Sequence, residues 1–146
     1  MKDCLIIGPS TVLGYNTLFE YFRSKRLKVG HSGHKEGIGM YFEHNDKSVF
    51  KTTLWFTTLD VRGFENEFSL TKHYEEGKFR HYDNYPDIIE VKRCNDIPID
   101  YDGKMGVSIT FFRYYPETDY EVLEVNDKCY LNGEKLFKRL IIQKRK

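Results

Sequence analysis

The apolar residues of this chain fall in short runs, and their spacing changes character about a quarter of the way along. Cys4-Leu5-Ile6-Ile7-Gly8 is apolar at consecutive positions and closes on Gly8-Pro9-Ser10, which predicts a strand buried on both faces, in a parallel sheet, entering a turn. Val12, Tyr15, Leu18, Phe19 and Phe22 then recur at helical spacing, with Ser10 or Thr11 placed as N-cap and Lys25-Arg26 placed to favour the C-terminal dipole. Leu27-Lys28-Val29 is a second short strand candidate. It runs into a loop with Gly30, Gly33, Gly37 and Gly39 that carries His31 and His34.

From Met40 onward strand signals dominate. Met40-Tyr41-Phe42 is a brief apolar segment, and Val49 to Val61 alternates Thr with aromatics around Leu54-Trp55-Phe56, the clearest strand pattern in the chain. Asp60 to Tyr101 is mostly polar and aromatic, and Pro86 and Pro98 exclude long helices there. Gly106 to Phe112, Tyr120 to Val125, Cys129 to Leu131 and Leu136 to Ile142 are further strand candidates, and Asn132-Gly133 supplies the type I′ turn of a hairpin. The basic tail Gln143-Lys144-Arg145-Lys146 is expected to fray.

This pattern predicts an α/β chain that becomes α+β in its C-terminal part. Residues 1–62 are expected to form a partial sheet with its helix and residues 63–146 a β-rich region, joined in one unit. A single βα unit does not cover both faces and both edges of a doubly wound sheet, so a complementary segment upstream of Cys4 is expected.

Composition narrows the function classes. With 146 residues, 40% of them hydrophobic and 16% aromatic, the chain has material for an ordinary core. A net charge of +1 lacks the strong basic excess of a dedicated nucleic-acid-binding module, so phosphate contacts must come from local patches. Cys4, Cys94 and Cys129 are odd in number and widely spaced, which fits reduced thiols and a cytoplasmic location. No apolar run is long enough to span a membrane. His31 and His34 have no third ligand at metal spacing, and no metal is expected.

Two segments carry a resemblance. Tyr82-Asp83-Asn84-Tyr85 and the block from Asn95-Asp96-Ile97-Pro98 through Gly106-Val107-Ser108 to Phe112 resemble a block of the EcoRI-type adenine-specific DNA methyltransferases. Leu5-Ile6-Ile7-Gly8, Leu54 to Asp60, Leu70 to Tyr74 and the terminal Leu131-Asn132-Gly133 with Arg139 to Ile142 follow in the family's order. The similarity covers essentially the whole chain but only the C-terminal half of the family's length. It implies the last part of a Rossmann-like class I methyltransferase sheet followed by a β-rich target-recognition region.

The activity implied is transfer of a methyl group from S-adenosylmethionine to the N6 of an adenine flipped out of duplex DNA, in a restriction-modification system. The family's Asn-Pro-Pro-aromatic motif is absent here, because Pro9, Pro86, Pro98 and Pro116 are never adjacent. The cofactor-binding region, which in the family precedes the Leu5-Ile6-Ile7 strand, is not present either. The chain alone is therefore expected to bind no S-adenosylmethionine and to need a separate half, or to associate with itself through the Cys4–Gly8 strand. A split subunit, a gene remnant and a chain cut at a domain edge all fit; an inactive DNA-interaction module is the alternative function.

The resemblance places the stacking residue for the flipped base near the glycine-rich loop, shorter here than in the family, with Tyr41 and Phe42 the nearest fits. Tyr82, Asn84, Lys92, Arg93, Lys104 and Arg113 are the candidates for contacts to DNA, being of the types that read base edges or hold phosphates.

Overall fold

The computed structural model describes residues 2–30, 40–44, 47–51, 53–60, 69–115 and 118–146, with backbone alone for 40–44 and 47–51. His31, His34, Gly33, Gly37 and Gly39 lie outside the described residues. The chain is of the mixed α/β class and rich in strands.

The first strand, β1 (Leu5–Pro9), pairs antiparallel with β5 (Thr53–Thr57), whose other edge carries the two-residue β2 (Lys28–Val29). This corrects the expectation of an interior parallel strand. β1 stands at a sheet edge, and Leu5, Ile6 and Ile7 remain 59%, 51% and 47% exposed. The β1–β5 pairing is reinforced at its end, where Thr57 Oγ1 donates to Cys4 O and Cys4 N donates to Thr58 Oγ1. β5 follows the alternation its sequence predicts: Leu54 and Phe56 are buried and Trp55 is half-buried. The long strand expected over Val49 to Val61 is instead two strands, β4 (Lys47–Lys51) and β5, and β4 pairs with β3 (Met40–His44) in a separate two-stranded sheet.

The helix is shorter than its apolar period. Ser10–Gly14 forms a 3-10 turn, Tyr15 is extended, and α1 runs only over Asn16–Arg23. Ser10 and Thr11 therefore cap nothing. Tertiary packing overrides the helical period at Gly14, which is buried against Ile109 and whose carbonyl accepts from Lys138 Nζ at 2.8 Å. Lys25 ends the helix in the left-handed region at φ 59°, the position glycine usually takes. The buried face of α1 is aromatic. Phe22 packs 5.3 Å from the Phe112 ring and 5.8 Å from Phe56.

The second sheet has five strands: β6 (Arg80–Tyr82), β7 (Tyr85–Glu90), β8 (Lys104–Ser108), β9 (Tyr120–Asn126) and β12 (Arg139–Lys144), in the order β6-β7-β8-β12-β9. All its pairings are antiparallel except β7 with β8. Gly106 to Phe112 was expected to be one strand, but β8 stops at Ser108. Ser108 Oγ accepts from Thr110 N and Thr110 Oγ1, and this local bonding turns Ile109–Arg113 into a 3-10 helix.

Asn132 and Gly133, at φ 55° and 78°, join β10 (Tyr130–Leu131) to β11 (Glu134–Lys135), as a type I′ turn requires. The strand expected from Leu136 begins only at Arg139. The tail is not frayed at Lys144 or Arg145: Lys144 Nζ donates to Ile99 O and Arg145 N to Asp119 O, both at 2.8 Å.

β12 explains how the core is divided. Leu140 and Ile142 point into the main cluster, with Leu13, Phe22, Leu54, Phe56, Ile89 and Phe111. Ile141 points to the opposite face and joins Tyr82, Ile88 and Cys129. That second face is covered by the β10–β11 hairpin, which is tied down by Gly133 N to Asp83 Oδ2 and Asp83 N to Tyr130 O.

Candidate nucleic-acid interface

Beside the hairpin, on the second face of the five-stranded sheet, lies a buried charge network. Glu90 ends β7 with its side chain 4% exposed, and Arg139 begins β12 at 17%. The guanidinium grips both carboxylate oxygens, with Nη2 to Oε1 at 2.9 Å and Nε to Oε2 at 3.1 Å. Tyr82 Oη donates to the same carboxylate. Burial, then the Glu90 carboxylate, pushes the Tyr82 hydroxyl far above the usual phenol range, so it stays protonated as the donor. Tyr82 Oη also occupies the space above Gly106, where any Cβ would collide with it.

A cleft of about 610 Å³ opens over this network. It is lined by residues of the Thr71–Arg80 segment, by Glu90 at the end of β7 and Lys92 just after it, and by Asp96 and Leu131. The segment wall is firmly anchored. Ile99 N donates to Lys72 O, and Tyr74 N donates to Asp100 Oδ1 at 2.7 Å. Tyr74 is stacked between neighbours, 4.6 Å from Tyr101 and 5.7 Å from Phe79, which itself lines the cleft. The Tyr74 amide and then His73, 3.0 Å away, hold the Asp100 carboxyl below the usual carboxylate range.

The charges in the cleft are unequally matched. Lys78 is held by Glu75 at 2.6 Å, and Glu90 is neutralised by Arg139. Among the described residues, Lys72, Arg80 and Lys92 have no ion-pair partner. Three cations thus face one cavity, opposed by Asp96 alone.

The residues singled out in the sequence do not converge on one place. Lys92 lines the cleft, and Arg93 is exposed just beyond it. Arg113 closes the 3-10 helix after β8 at the same end of the β7–β8 pair, its guanidinium 5.8 Å from the Tyr114 ring. Lys104 starts β8, nearer the other end, 3.8 Å from Asp87. Asn84 sits in the β6–β7 turn with its side chain bonded to Lys128 O and Tyr130 N, where it holds the hairpin. Tyr82 is 1% exposed, within the buried network. The backbone of Tyr41 and Phe42 lies in β3, and their side chains lie outside the described residues. Lys72 and Arg80 were missed by sequence reasoning. Leu70-Thr71-Lys72-His73-Tyr74, already part of the resemblance, was the available signal.

Comparison with known proteins identifies a methyltransferase lineage. The family described as adenine-specific methyltransferase EcoRI matches residues 1–146, and the chain belongs to that family. Type II methyltransferase M.EcoRI of Escherichia coli is 29% identical over 167 residues, covering 99% of this chain and 51% of that protein. Type II methyltransferase M.MpnI of Mycoplasma pneumoniae is 26% identical over 141 residues, covering 84% of this chain and 44% of that protein. The chain thus spans about half the length of the curated relatives it matches. No solved structure matches it.

Proposed function

We propose that this chain is the DNA-facing half of a site-specific DNA adenine-N6 methyltransferase, with the S-adenosylmethionine site supplied by the remaining half of the family's length, on the same polypeptide or another. The observation that carries the reading is the family match over the whole of residues 1–146, against relatives about twice as long. In this reading residues 1–62 complete the Rossmann-like catalytic sheet and residues 63–146 form the target-recognition region. Tyr41 or Phe42 stacks on the flipped adenine, and the DNA contacts are drawn from Lys92, Arg93, Lys104 and Arg113, with Tyr82 and Asn84 shaping the surface around them.

The described residues do not fit S-adenosylmethionine. Its sulfonium and ammonium are cationic, whereas the cleft presents Lys72, Arg80 and Lys92 against one unpaired acid, Asp96, with Glu75 and Glu90 already bound to Lys78 and Arg139. The sheet offers one parallel pair, β7 with β8, in place of the run of parallel strands whose ends cradle a nucleoside cofactor. No methyl-transfer step is assigned to these residues. Their part is to hold and orient the duplex.

The exposed β1 strand supplies the junction in this reading. Its apolar side chains are covered by the donor-binding half when that half is present, and by a second copy of the chain when it is not.

Calorimetry with S-adenosylmethionine, followed by labelled-methyl transfer to mixed-sequence duplex DNA, tests the proposal. The chain alone should show neither donor binding nor transfer, and transfer should emerge on mixing with a polypeptide that carries the remaining half. Saturable donor binding by the chain alone would overturn the half-enzyme reading. DNA binding with no transfer by the mixture would replace it with a noncatalytic DNA-interaction module.

A further inference from the structure

We propose that the cleft over Glu90 and Arg139 is a seat for the phosphodiester backbone of a nucleic-acid strand, recognised by charge rather than by base identity. The inference rests on the DNA-facing reading above and gives it a location that the sequence did not single out.

Positive charge remains at the cleft after local pairing. The acids at the cleft are largely committed: Glu75 to Lys78 and Glu90 to Arg139. The cations Lys72, Arg80 and Lys92 are not committed to any described acid, and all three are exposed. Cations gathered at a concave surface concentrate positive potential there, and the ligand that answers them is a polyanion. The floor of the cleft is neutralised. An ionised Glu90 left unpaired beneath the cleft would repel phosphate, but it is sealed by the guanidinium of Arg139 and the hydroxyl of Tyr82. The wall is rigid. Lys72 and Arg80 flank a segment fixed by the Ile99–Lys72 backbone bond and by the Phe79-Tyr74-Tyr101 ring stack, so the backbone that carries these cations is in place before a ligand arrives. Phe79, half-buried in that wall, offers an apolar face to a sugar or base beside the phosphates.

These cations come from a loop, the start of β6 and the residues after β7. They make no fork-like arrangement with fixed side-chain partners, as a base-reading Arg or Asn would. Contact of this kind fixes register on the strand and carries no sequence preference.

Fluorescence anisotropy of the full chain with labelled duplexes of two unrelated sequences, across a salt series, tests the assignment. The triple variant Lys72→Ala/Arg80→Ala/Lys92→Ala should weaken binding to both duplexes equally. The slope of log affinity against log salt should shrink by about 0.9 per lost phosphate contact, about 3 in all. The single variant Lys92→Glu should weaken both as well, and it guards against a folding defect in the triple, whose thermal unfolding should match that of the parent. If the parent binds DNA and the triple variant keeps its affinity and slope, the cleft assignment fails while the DNA-facing reading stands. Weakening confined to one sequence would overturn a backbone seat and make the cleft a base-reading site. A parent chain that binds no duplex at low salt would overturn both.

Discussion

The tripeptide Leu-Ile-Ile occurs twice in this chain, and its two copies meet opposite fates. Leu140-Ile141-Ile142 in β12 is 0%, 1% and 0% exposed, whereas Leu5-Ile6-Ile7 in β1 is 59%, 51% and 47% exposed. Both are consecutive apolar residues in a strand, the pattern of a strand covered on both faces. β12 obtains its cover from within the chain: β8 and β9 pair with its edges, the aromatic core fills one face and the β10–β11 hairpin closes the other. β1 has β5 on one edge and, among the described residues, no other strand of its sheet on the second. The difference shows that an apolar run specifies how much cover a strand needs and not where the cover comes from. In our reading β1 is built like a core strand because a second polypeptide segment completes it.

The largest effect should come from the charged side of the covered face. Arg139→Met leaves Glu90 buried without its counterion and should cost about 3–5 kcal/mol, while the double variant Glu90→Gln/Arg139→Met should recover much of the loss. Urea unfolding of the three proteins reads both values. A single variant as stable as the parent would mean that the pair contributes nothing to the face that β12 shares with the hairpin.

Truncating the two tripeptides compares them directly. Ile141→Ala should lower stability by about 2–5 kcal/mol, because the cavity forms between the sheet and the hairpin. Ile6→Ala in the isolated chain at low concentration should stay within about 0.5 kcal/mol. Equal losses in urea would show that β1 is covered within the monomer after all.

A smaller effect is expected at alkaline pH. Burial pushes the Cys129 thiol, which packs beside Tyr82 and Ile141, from 9.0 up to about 11. A raised pKa means the folded chain keeps the proton longer than the unfolded chain does. The stability associated with it is complete below pH 9.0 and is lost as pH rises towards about 11. The unfolding midpoint of the parent should therefore fall across that window. Cys129→Ala, though less stable throughout, should show a flatter alkaline limb. An identical alkaline decline in the two proteins would remove Cys129 from the account.

What could be read from the sequence divides along physical lines. Features set by local chemistry were legible. Asn132-Gly133 makes a tight turn from two residues with positive φ, and the alternation around Leu54-Trp55-Phe56 fixes which side chains face inward. Features decided by distant partners were not. Tyr15 breaks the apparent helix because Gly14 docks against Ile109 and Lys138, and Ser108 ends its strand through a hydroxyl bond that hydrophobic pattern alone does not weigh. The cleft belongs to the second kind. Lys72, Arg80 and Lys92 are brought together by the β6–β7 pairing and by the Lys72–Pro98 bridge, neither of which has a signature in the residues themselves. Asn84, a residue type suited to reading a base edge, has its amide engaged by the backbone of Lys128 and Tyr130, a role visible only in three dimensions.

In our reading β1 is a core strand that a second polypeptide segment covers. Light scattering over a concentration series, on the parent and on Ile6→Lys, tests it most directly. The account predicts that the mass of the parent rises with concentration and that Ile6→Lys stays monomeric, with thermal unfolding that matches the parent's at concentrations where the parent is monomeric. A parent that remains monomeric throughout, with the amides of Leu5 to Gly8 as protected from exchange as those of Leu140 to Ile142, would contradict it.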